Sequence, residues 1–117
     1  MAVTVTYFIR GGGVTINGSV TPPSGQQAAQ VATQKAVVVF GASADVRALF
    51  THNWGLDASA PGYFDPQISV EPLSANTYWP SLTFDVTNTN AVAINKATGD
   101  AGTTVVITLR KPNSIGQ

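Results

Sequence analysis

The chain has 117 residues, 44% of them hydrophobic, enough for one domain with a real core and too few for a second. Only 10% are charged, six basic against six acidic for a net charge of zero, and there is no cysteine. This composition excludes disulfide and thiolate chemistry, and it offers neither the basic stripe that nucleic acid requires nor the run of about 18 apolar residues of a membrane span.

Weak surface charge does little to keep copies apart, which fits a subunit buried among other subunits and equally a β-sandwich that is simply weakly charged. The start Met1-Ala2-Val3-Thr4 has neither the basic nor the apolar segment of a secretory signal, and none is expected.

In chain order, Val3, Val5, Tyr7 and Ile9 alternate at period two and predict a strand, broken by Gly11-Gly12-Gly13. Val14, Ile16 and Val20 predict a second strand, in which Asn17-Gly18 permits either a bend or a very short hairpin. Thr21 to Gly25 is a loop. Gln26 to Gln34 admits a short helix, but it offers Val31 as its one large apolar residue, and an extended crossing of the fold is the favoured expectation. Ala36 to Phe40 is continuously apolar, which predicts a strand covered on both faces. After a turn over Gly41 to Asp45, Val46 to His52 forms another strand, and Asn53 to Pro66 a long loop. Gln67 to Glu71 is a short strand with Ile68 and Val70 inward, followed by a second loop from Ser74 to Pro80.

Three strands close the chain. Leu82, Phe84 and Val86 face inward on the first, Val92 and Ile94 on the next, and Val105, Ile107 and Leu109 on the last. The turns between them are Asn88-Thr89-Asn90 and Thr98 to Gly102. About seven to eight short strands without a βαβ spacing predict a single all-β domain over residues 1–117, an antiparallel β-sandwich of immunoglobulin-like or jelly-roll-like type.

Reactive side chains are sparse. His52 is the only histidine; Asp45, Asp57 or Asp65 can orient it, yet no Gly-x-Ser-x-Gly elbow supplies a nucleophile. It is read instead as ending a strand and fixing the loop by a local hydrogen bond. One histidine without cysteine makes a poor zinc site, and Asp57, Asp65 and Asp100 lack the Asp-x-Asp spacing of a calcium loop. Nothing positions Asp57, Asp65 or Glu71 as a glycosidase pair, and Gly11-Gly12-Gly13 lacks the Lys-Ser/Thr of a phosphate loop. No enzyme activity, cofactor or metal is expected.

Aromatic residues are the better lead. Trp54 is read as core, whereas Tyr63 and Phe64 in one loop and Tyr78 and Trp79 in the other are read as contact residues. A sandwich can bring two such loops to one end.

Phe50-Thr51-His52-Asn53-Trp54-Gly55, then Gln67 to Pro72, then Asp85 to Ile94, resembles a β-sandwich module of tailed-bacteriophage virion proteins. In that module a strand-His-Asn-Leu-Gly turn precedes a valine-rich strand and an Asp/Thr-x-Asn-x-Val hairpin. Here Trp54 stands where leucine is usual, and the loop after Gly55 is longer; the likeness spans roughly residues 46–109. It implies a structural role in the virion and transfers no catalytic residue.

Among small virion proteins the chain is most similar to a capsid decoration, or cement, protein. The resemblance implies a homo-oligomer, a trimer for preference, that clamps neighbouring subunits of the major capsid protein or other virion subunits. Strand Val3–Ile9, with Val5 and Tyr7, or the tail after Leu109 is expected to add to a neighbour's sheet edge. A tail, neck or baseplate adaptor and a carbohydrate-binding sandwich using Tyr63, Tyr78 and Trp79 are the alternatives.

Overall fold

The computed structural model describes residues 3–56, 66–73, 82–97 and 101–111. They form β1 (Val3–Gly11), β2 (Val14–Ser19), α1 (Gly25–Ala28), β3 (Thr33–Phe40), β4 (Arg47–Thr51), β5 (Gln67–Pro72), β6 (Leu82–Asn88), β7 (Ala91–Lys96) and β8 (Thr103–Arg110). Period-two alternation produces these strands: in β8 Val105, Ile107 and Leu109 are fully buried, while Thr104, Val106 and Thr108 face the other way and are half-buried.

All pairings are antiparallel. A five-stranded sheet runs β2-β1-β3-β8-β5, and a three-stranded sheet β4-β7-β6 packs on it. β3 pairs with β8 in one sheet and β4 with β7 in the other. These nested pairs alternating between sheets are the wrapped arrangement of a jelly roll, and they differ from the immunoglobulin division, in which consecutive blocks of strands share a sheet. Between the sheets lies one cluster that includes Tyr7, Ile9, Val38, Phe40, Phe50, Ile94, Ile107 and Leu109. Tyr7 meets Phe50 edge to face at 5.3 Å, which joins β1 to β4 across the core.

The β1–β2 turn is closed by the pair Gly11–Val14, with positive φ at both Gly12 (57°) and Gly13 (82°), the requirement of a type I′ hairpin. A side chain at Gly12 would also overlap the carbonyl oxygen of Gln30. Asn17-Gly18 makes no hairpin. β2 continues through it as one strand, and the register slips beside Gly18 (φ 76°), so this is a bulge.

Two expectations need correction. Residues 25–28 form a helical turn where an extended crossing was expected. Ser24 accepts from the Gln27 backbone and Gln27 reaches back to the Ser24 backbone, a capping box that the sequence Ser24-Gly25-Gln26-Gln27 displays. β3 is covered on one face only: Ala36, Val38 and Phe40 are buried, while Val37 and Val39 remain half-exposed on the other. β1, expected to add to a neighbour's sheet edge, has partners within the chain and is left without one on its β2 side from Val3 to Thr6 among the described residues. It pairs with β3 from Val3 to Phe8 and with β2 from Tyr7 to Gly11. β8 has partners on both sides along its length, and the tail beyond Lys111, also expected to add to a neighbour, lies outside the described residues.

Candidate functional site

The residues after β4 are held by a dense set of hydrogen bonds. His52 N and Asn53 N both donate to the Asn90 carbonyl, and Leu56 N donates to that of Thr89 at 2.7 Å. Asn53 takes positive φ (57°), which asparagine tolerates, and its amide donates to the Pro23 carbonyl. Trp54 is buried, with its indole N–H on the Val31 carbonyl at 3.0 Å; Gly55 N donates to Asn90 Oδ1. The Thr51-to-Gly55 turn therefore locks three neighbours together: residues 23–31, the start of β3 and the β6–β7 hairpin.

His52 is fully buried at the centre of this knot. Its Nδ1 accepts from Trp54 N at 3.0 Å, so the ring proton sits on Nε2, and its ring lies 5.0 Å from that of Trp54. Its carbonyl accepts from Gln34 Nε2 at 2.8 Å. Gln34 Oε1 and His52 Nε2 are buried and make no hydrogen bond among the described residues. Burial lowers the imidazole pKa from 6.5 to about 4, so the ring is neutral at physiological pH. The local hydrogen bond expected of His52 is present, and Trp54 is core as expected. Gln34 went unread in the sequence, although it shares the inward parity of Ala36, Val38 and Phe40.

Of the expected contact residues, Tyr63, Phe64, Tyr78 and Trp79 lie outside the described residues. The roots of their loops are defined. Leu56 sits against the β6–β7 turn, and Gln67, where the chain re-enters the sheet, pairs with Arg110. Leu73 donates to the Thr104 carbonyl and Leu82 pairs with Lys96, beside the opposite end of the sandwich. Since β5 separates the two loops with six residues, their roots stand about 20 Å apart. They do not share an end.

Tyr7, expected at an interface, is instead core: it is 2% exposed and its hydroxyl accepts from Thr51 N at 3.0 Å, closing the end of the β4 edge. Burial raises its phenol pKa, so it stays protonated. Val5 is half-buried against the core cluster.

Among the described residues the outer face of the five-stranded sheet and the sheet edges are open to a partner. The rows of that face follow from the register. Thr4 pairs with Val39 and Val39 with Thr104; Thr6, Val37, Val106 and Glu71 form the next row; Phe8, Lys35, Thr108 and Ser69 the third. Three valines thus sit in a field of threonines. Phe8 is 37% exposed and, with Arg10, Thr15 and Asn17, borders a depression of about 260 Å³ on β1 and β2. Among the described residues β2, β5, β4 and β6 are edge strands, and β1 is unpaired on its β2 side from Val3 to Thr6. Among the described residues no group of three His, Cys, Asp or Glu is arranged to hold a metal. No protein-family model matches the chain, and no curated protein or solved structure matches it.

Proposed function

We propose that this chain is a non-enzymatic structural subunit of a virion, a capsid decoration protein that clamps neighbouring shell subunits. The observation that carries the proposal is the open face of the five-stranded sheet, where Val37, Val39 and Val106 lie half-exposed among threonines. A flat, β-branched, weakly charged surface of this kind gains by being covered.

Magnitudes decide how it would be covered. Five strands of about eight residues make a face of about 600 Å², somewhat less than the roughly 800 Å² each partner contributes to a standard interface. The face alone gives modest affinity, so a second contact is needed. The open edges supply it, by strand addition between copies, and several such contacts presented together on a repeating shell act with avidity. The nested strand pairing adds a fold-level analogy, since jelly rolls serve in viral capsids, and analogy of fold carries less weight than the face itself. Jelly rolls also serve as lectins. However, the roots of the loops bearing Tyr63 and Tyr78-Trp79 stand at opposite ends of β5, which weighs against one sugar platform built from all three.

Immunogold labelling of tailed-phage particles purified from the source of this chain tests the reading. Gold over the head is the expected result. Gold confined to the tail or neck would make the protein an adaptor, and unlabelled particles would overturn a virion role.

A further inference from the structure

Strand register gathers cations that are far apart in the sequence. On β1, Arg10 lies two residues beyond Phe8, which pairs with Lys35 on β3; Thr33, two residues before Lys35, pairs with Arg110 on β8. Residues two apart share a face, so Arg10, Lys35 and Arg110 are same-face neighbours on three adjacent strands, spanning about 10 Å. Lys111 follows directly, and all four residues are exposed. The two remaining basic residues, Arg47 and Lys96, belong to the other sheet. Among the described residues the one ion pair joins Arg47 to Asp85, so none of the four has a described carboxylate within ion-pair reach. A chain of zero net charge thus concentrates four of its six cations at one corner.

We propose that this corner docks a carboxylate-rich protein surface, with the neighbouring valine and threonine rows lying against the uncharged part of the same partner. Charge complementarity sets the sign of the partner, and the layout of the face sets its class. A nucleic acid presents phosphate along its whole length. Here only the end of the face near Arg10 and Arg110 is cationic, the middle is Val37, Val39, Val106 and threonines, and Glu71 sits in the second row. A protein surface with an acidic rim matches both parts, and the depression beside Phe8 and Arg10 can accept one apolar side chain from it. The inference deepens the proposed function in that it rests on the outer face being the docking face; it does not depend on the partner being a virion.

The test titrates the purified protein with labelled poly-L-glutamate and, separately, with single-stranded oligothymidylate, at about 0.02 M and about 0.15 M salt. The poly-glutamate mixture is then treated with a carbodiimide, which joins lysine amines to carboxylates without a spacer. Expected are saturable, salt-weakened binding of poly-glutamate and cross-links at Lys35 and Lys111. Lys96 should stay unlinked, because its Nζ already donates to the carbonyls of Ser43 and Ala97.

Lys35→Glu combined with Arg110→Glu should weaken binding about tenfold or more, and Arg47→Glu should bind as the parent does. Should the double reversal fail to fold, as judged by circular dichroism, Lys35→Gln alone should still weaken binding about threefold. Tighter binding of oligothymidylate, no binding of poly-glutamate at the lower salt, cross-links confined to Lys96, or a folded double variant with parental affinity would each overturn the proposal. Such failure leaves particle labelling untouched, and failure of labelling leaves this binding measurable, so the two readings fall separately.

Discussion

His52 shows how one buried side chain can tie stability to pH. Its imidazole is neutral in the folded chain with a pKa of about 4, whereas the unfolded chain takes up a proton near 6.5. Between those values the unfolded state binds more protons, so stability rises with pH across the window and is lost as pH falls from 6.5 to about 4. The shift corresponds to about 3 kcal/mol, a large part of a small domain's stability. Urea melts from pH 7 downward should show this loss, and an NMR titration of the ring should give a midpoint near 4. In His52→Gln the loss over this window should vanish. The role of His52 and the core position of Trp54 were legible in the sequence, because a single histidine beside a strand end has few alternatives. Tyr7 was not. Alternation places it on the face of Val5 and Ile9 but cannot say whether that face meets a second sheet or solvent.

Local chemistry decides the short elements. α1 exists because Ser24 and Gln27 cap each other, a signal written in four residues and outweighed at the sequence level by the lack of apolar residues nearby. Two glycines near this region should respond with opposite signs. Gly12→Ala places a side chain at φ 57° against the Gln30 carbonyl and should destabilise by about 2 kcal/mol. Gly25→Ala, in the first helical position with open space around it, should stabilise by about 0.5 kcal/mol through the unfolded chain. Denaturant midpoints of the two variants check both. The alternation of Leu82 to Leu109 made the last strands legible, yet their partners were not, since β8 returns to β3 and β5 over long stretches of chain. The placement of the roots of the two aromatic loops follows from those pairings, and so does the separation of those roots.

At the scale of the molecule, eight strands and one core were within reach of the sequence, and the surface was not. Arg10 and Lys35 stand far in sequence from the pair Arg110-Lys111 until register brings all four to one corner. The same register lays Val37, Val39 and Val106 side by side on an open face. Such a face and several open strand edges support the proposal that the chain works as one copy among several, and that proposal is the central claim. It is tested most directly by native mass spectrometry of the purified protein at micromolar concentration. The account predicts a trimer; a monomer at every concentration would contradict it.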